Sequence, residues 1–191
     1  MLSPMGRWEP DASGRLRQAA MELYVERGYE QTTVADIAER AGLTARTFFR
    51  YFADKREVLF AGSAELQSHL VGVLDDAPES ASPMEAIATA LNAIADVLQD
   101  REFSRQRQSV IAANAELRER ELIKMASLSV AFADGLRRRG VADPAASLAA
   151  EAGVAVFRVA FERWVSEPGD RDLSQLMHES LDQLKALSSA S

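Results

Sequence analysis

In the run GLTARTFFRYFADK, residues 42–55, the cations Arg46, Arg50 and Lys55 alternate with the aromatic side chains Phe48, Phe49, Tyr51 and Phe52. A guanidinium can bond phosphate or the edge of guanine through paired donors, and an ammonium serves as a point charge for phosphate. Helical spacing sorts the run into faces. Ala45, Phe48 and Phe52 fall at i, i+3 and i+7 on one side, while Arg46 and Arg50, at i and i+4, lie on the other. Phe48 and Phe52 are therefore expected in a core, with the arginines, Thr44 and Thr47 projecting. From these residues alone the outer face fits either a solvated helix surface or a grip on base edges and phosphates in a DNA major groove.

The elements that must hold this run read as helices. Leu16, Ala19, Ala20, Leu23 and Tyr24 repeat at helical spacing and stop at Gly28. Thr33 is placed to cap a second helix, with Asp36 at the capping-box position and Val34, Ile37, Ala38 and Ala41 as its apolar stripe. Gly42 ends it, Thr44 caps a third helix to about Phe52, and Asp54 with Glu57 opens a fourth, expected over about 54–75. That assignment puts Lys55 in a first helical turn, where the partial positive charge of the helix end disfavours a cation and calls for an anionic partner.

Downstream, DDAPESASP marks a loop, and Ser82-Pro83-Met84-Glu85 has the pattern of a capped helix start. Helices are expected to about Leu98, within Glu102–Ala113, from about Ala115 to Arg139, from Asp143-Pro144 to about Val165, and over about Asp172–Leu187. No period-2 strand pattern stands out, so the fold is expected to be all-α with about nine helices. A helix–turn–helix domain over 1–56 and a larger helical domain over 57–191 are expected, joined by the helix over about 54–75.

Charge divides along the same line. The chain of 191 residues carries a net charge of −7, yet residues 1–60 hold nine of its 22 basic and nine of its 29 acidic residues. The remaining 13 basic and 20 acidic residues lie beyond, so the acidic excess belongs to the second part. Four cations, Arg46, Arg50, Lys55 and Arg56, face the single acid Asp54 within 44–56, a local basic patch on an acidic chain. There is no cysteine, which excludes disulfides and thiolate metal sites. With no signal-peptide pattern and no apolar stretch of about 20 residues, a cytoplasmic protein without a membrane span is expected.

Residues 16–59 resemble the N-terminal domain of the TetR/AcrR family of bacterial transcriptional regulators, through ELYVERGYEQTTVADIAERAGL, then TFFRYF, then the lysine of ADK and the following VL. The resemblance implies a three-helix DNA-binding domain, a helical domain for effector binding and dimerisation, and repression relieved by a small molecule. By position, Thr33 and Lys55 would meet phosphate, and Thr44, Ala45, Arg46, Thr47 and Tyr51 would meet bases or backbone. Arg46 is the candidate for guanine, and Arg50 for phosphate. Many members have tyrosine at the position of Phe49, its hydroxyl bonding a phosphate; here that hydroxyl is missing and the ring can only pack. Arg15 and Arg17 are further candidates for backbone contact. The implied partners are a palindromic double-stranded DNA operator, a small-molecule effector and a second copy of the chain.

In the second domain FSRQRQSVIAANAELRERELIKMA and GVAVFRVAFERW are similar to a subgroup that includes the mycofactocin-system regulator, which implies an acyl-CoA-like or other hydrophobic effector. Phe103, Phe132, Phe157, Phe161 and Trp164, set among alanines, could leave room between helices, and Arg105 and Arg107 could meet an anionic head group. They equally fit core aromatics and surface arginines. Leu148, Ala152, Ala155, Val156 and Val159 form a small apolar stripe suited to pairing with a second copy.

An enzyme needs a constellation, and none stands out. His69 and His178 are far apart in sequence, and the chain has no HExxH, glycine-rich phosphate loop or GxSxG. No cofactor, metal or catalytic residue is expected. A helical protein-interaction module on the same fold is the remaining alternative.

Overall fold

The computed structural model describes residues 12–189, with backbone alone for 188 and 189. Among the described residues it contains nine α-helices and no strand: α1 Ala12–Arg27, α2 Val34–Arg40, α3 Ala45–Tyr51, α4 Ser63–Asp75, α5 Pro83–Val97, α6 Arg101–Ala113, α7 Ala115–Arg138, α8 Ala145–Ser166 and α9 Leu173–Ser189. The chain divides into two compact units, one through Ala61 and one from Gly62 onward.

In the first unit the expected stripes face inward: Leu16, Ala19, Ala20, Leu23 and Tyr24 on α1 pack with Ile37 and Ala38 on α2 and with Phe48 and Phe52. The expected caps also form. Thr33 accepts from Asp36 N while Asp36 returns a bond to Thr33 N at 2.8 Å, completing a capping box. Past α2, Leu43 N donates to Ala38 O and Gly42 N to Glu39 O, closing the helix in the Schellman manner.

The expected fourth helix over 54–75 is divided. Asp54 does act as a cap, accepting from Arg56 N and Glu57 N, but the element it caps is a 3-10 turn over Glu57–Phe60. Gly62 then adopts φ +80, a left-handed conformation that glycine alone adopts cheaply, and α4 starts only at Ser63.

The second unit is a helical layer around one core. α8 packs on α5, α7 and α9, α4 on α5 and α7, and α6 on α7 and α8. Leu70, Leu74, Ile87, Ile94, Phe132 and Leu136 are among its fully enclosed side chains. Ser82 and Glu85 form the expected capping box of α5, with Pro83 in the first turn.

The C-termini of α4 and α8 are closed by arginines from elsewhere in the unit. Past α4, Arg139 donates to the carbonyls of Ala77 at 2.7 Å, Pro78 at 2.6 Å and Asp75 at 3.2 Å. At the end of α8, Arg101 donates to Trp164 O, Glu167 O and Gly169 O, and Arg105 to Val165 O at 2.8 Å. Each guanidinium satisfies orphan carbonyls and places a cation at the negative end of a helix.

Gly153 on α8 lies so close to α5 that a Cβ there would stand 2.4 Å from Ile87 Cγ2. Overpacking of this kind costs about 1–3 kcal/mol. Gly153→Ala should therefore lower the denaturant midpoint, and adding Ile87→Ala should cost less than the sum of the two single changes; additive losses would show that α5 and α8 are not held at this distance.

Candidate nucleic-acid interface

α3 has only seven residues and is too short to persist alone. It is held from both sides. Thr44 caps its start, accepting from Thr47 N at 3.1 Å, and Phe48 and Phe52 are buried beneath it, 0% and 7% exposed. The ring of Phe48 meets Phe52 at 5.6 Å and Phe49 edge-on at 5.5 Å and 82°. Arg40 on α2 bonds Glu22 and Glu26 of α1, fixing the helix that precedes the turn; these bonds hold the Glu26 carboxyl below its usual range.

What remains outside is the face the spacing predicts. Arg46 is exposed and, among the described residues, has no hydrogen bond or ion pair. Arg50 is exposed too, but it leans on its neighbour, its guanidinium 4.9 Å from the Tyr51 ring centre and its Nη2 donating to the Tyr51 hydroxyl at 3.0 Å. Ala45, placed by periodicity on the same face as Phe48, is exposed because it stands at the open end of the helix. Phe49 keeps 57% of its surface in solvent and Tyr51 43%. Arg15 and Arg17 are exposed on α1.

The threonines are partly engaged. Thr33 donates its hydroxyl proton to Asp36 Oδ2 at 2.7 Å, which together with the backbone bond holds the Asp36 carboxyl below its ordinary range. Thr44 and Thr47 hydroxyls share one bond of 3.0 Å, leaving one proton of the pair for an outside acceptor.

Lys55 differs most from expectation. It lies between α3 and the 3-10 turn rather than in a first helical turn, so the helix-end argument does not apply to it. Its ammonium donates to Tyr29 O at 2.9 Å and Thr32 O at 3.1 Å and sits 4.2 Å from the Tyr29 ring centre. The Tyr24 hydroxyl, whose pKa burial pushes up, donates to Lys55 O at 2.7 Å. Tyr24, Tyr29, Thr32 and Lys55 thus clip the α1–α2 loop to the segment after α3. Periodicity does not reveal this clip, because its acceptors are backbone carbonyls. The compensation for the cation is found inside the unit.

In the second unit Phe157, Phe161 and Trp164 form a ladder along α8, with ring centres 5.7 Å and 5.9 Å apart. Phe132 is fully enclosed and Phe103 half-buried. Arg107 lies 3.6 Å from Glu121 and Arg105 closes α8, so both guanidiniums are occupied locally. A shallow surface indentation between α5, α8 and α9, with room for about one water, is lined by Leu91, Val156, Met177 and Leu181 with Asn92 and His178, and by none of those aromatics. Val156 is accordingly turned into its own unit, while Leu148 (67% exposed), Ala155 and Val159 face outward and Ala152 is half-buried. Among the described residues there is no group of three His, Asp or Glu placed to hold a metal, and no helix long and apolar enough to cross a membrane.

The sequence model of the bacterial regulatory proteins of the tetR family matches residues 16–61, and that of the MftR C-terminal domain matches residues 81–188. The chain is 35% identical over 89 residues to the HTH-type transcriptional regulator TcmR of Streptomyces glaucescens, a stretch covering 47% of this chain and 39% of TcmR. Its fold is similar to Thermus thermophilus FadR, a TetR-family repressor solved with lauroyl-CoA, at TM-score 0.55 and 24% identity over 91% of this chain and 93% of that one. It is also similar to SmeT, the repressor of a Stenotrophomonas maltophilia multidrug efflux pump, in complex with triclosan, at TM-score 0.67 and 21% identity over 92% and 90%.

Replacing Lys55 by methionine keeps the stem and leaves two part-buried carbonyls without their donor, which should cost about 1–3 kcal/mol. Hydrogen exchange on the full chain should then quicken at residues 28–33 and 52–60 with the second unit unchanged. Unaltered protection in those segments would show that the clip contributes nothing.

Proposed function

The chain belongs to the tetR family of bacterial regulatory proteins, and on that premise we propose that it is a repressor that binds a palindromic operator as a homodimer and is released by a hydrophobic small molecule. The observation that carries the DNA reading is the exposed, unpaired Arg46 on a helix whose opposite face is fully buried. Its fork suits O6 and N7 of guanine, a contact that discriminates by about 1–3 kcal/mol. Arg50, stiffened by Tyr51, and the unshared hydroxyl proton of the Thr44–Thr47 pair suit phosphate oxygens, with Ala45 and Tyr51 against bases or sugar. Lys55 has one donor left beyond its two carbonyls and can reach a phosphate while clipped. Thr33 would have to surrender its bond to Asp36, so its contact is the weakest of the set.

For the effector, the ladder Phe157, Phe161 and Trp164, with Phe132 and Phe103, supports an apolar ligand, as do the lauroyl-CoA and triclosan complexes of FadR and SmeT. An anionic head group at Arg107 would compete with Glu121. For pairing, Leu148, Ala152, Ala155 and Val159 offer a continuous outward stripe on α8, with two-fold symmetry giving the operator its palindrome.

Gel-shift titration against the DNA flanking its own gene should show sequence-selective binding that weakens steeply between 50 and about 200 mM salt. Arg46→Ala should relax selectivity at one base step per half-site; indifference of the parent protein to sequence would sink the regulator reading. Leu148→Asp, introducing a charge into the outward stripe, should give a monomer by sedimentation, with the salt slope about halved. A variant that remains dimeric would place the interface elsewhere.

A further inference from the structure

Phe49 is the one large apolar side chain on the reading helix that the fold leaves mostly in water. Its neighbours Phe48 and Phe52 are buried at 0% and 7%, while Phe49 is 57% exposed. It does not hang free, since the edge-on contact with Phe48 at 5.5 Å fixes the ring against an immobile base. Arg46 precedes it by three positions and is its exposed cationic neighbour along the helix face, while the Arg50 guanidinium leans on Tyr51. Ala45, four positions earlier and also exposed, contributes a methyl to the same flank.

On the regulator reading, an apolar ring beside Arg46 gains most where the DNA offers an apolar group. Among the base edges of the major groove, the C5 methyl of thymine is the apolar group that projects into the groove. Phe49 has no donor or acceptor, so it cannot bond a phosphate or a base edge. Against sugar it would gain area but no selectivity. We propose that Phe49, with Ala45, reads a thymine C5 methyl next to the base pair engaged by Arg46, making it a specificity-determining residue of the interface. The proposal rests on the regulator reading above. The missing hydroxyl at this position then converts a backbone contact into a base contact: selectivity for thymine is gained where a phosphate bond is lost.

The test begins by selecting duplexes from a randomised pool with the full-length protein, then replacing single thymines by deoxyuridine, which removes the methyl and nothing else. At one thymine in each half-site this should weaken the parent protein about fourfold, the worth of one buried methyl-sized group. Phe49→Ala should be insensitive to the same replacement, and circular dichroism should show it folded, since the side chain is mostly exposed. Equal sensitivity of both proteins, no sensitivity in either, or a selected site without thymine beside the Arg46 step would overturn the methyl contact. If the parent protein selects no duplex at all, the regulator reading fails, and this inference with it.

Discussion

Backbone carbonyls that a helix end or a loop leaves without a partner decide where several long cationic side chains of this protein are used. Each such group is costly to bury unpaired, and a long cationic side chain can reach several at once. Lys55 takes two in the α1–α2 loop, Arg139 closes α4, and Arg101 with Arg105 close α8. Arg40, Arg56 and Arg163 are held by carboxylates instead. Arg46, like Arg15, Arg17 and Arg158, is exposed and has no such partner among the described residues, and of these it alone lies on α3. Its charge is solvated, turned outward and unneeded by the fold, which is the condition under which a cation can be offered to phosphate or guanine without cost to stability.

The same economy governs α3. A helix of seven residues gains little from its own hydrogen bonds, so its orientation comes from the two rings beneath it and from the caps around it. Burying Phe48 alone is worth about 1.5–3 kcal/mol, more than the helix could gain from propensity. Because Phe48 and Phe52 occupy the inward side, the outward positions are free to vary in chemistry without loss of the fold, and that is where arginine, phenylalanine and threonine sit. Lys55 acts beyond the other end of the helix, holding the departing chain to the loop that precedes α2.

Local features were the most legible in the sequence. The capping boxes Thr33–Asp36 and Ser82–Glu85 involve residues three apart and need nothing from the rest of the chain, and both form. The stripes of α1 and α2 and the inward rings of α3 come from period alone. The division of the helix expected over 54–75 was harder to see: Gly62 sits within a run that otherwise keeps helical spacing, and only its backbone conformation reveals the stop. The local partners of Arg105 and Lys55 were hidden for a related reason. Both looked available to an outside anion because their partners are carbonyls far away in sequence, and a carbonyl carries no residue-type signature.

That distinction bears on the effector. Arg105 bonds Val165 O and Glu102, and Arg107 lies against Glu121, so an anion drawing on either would first have to leave a helix end open or a carboxylate unpaired. Both losses oppose binding by amounts comparable to what a charged hydrogen bond returns. The aromatic ladder on α8 is itself part of the packed core, with Phe157 9% and Trp164 4% exposed, so an apolar ligand set against it would have to part side chains that now touch. The apolar effector proposed above would replace apolar contacts there without unpairing a charge.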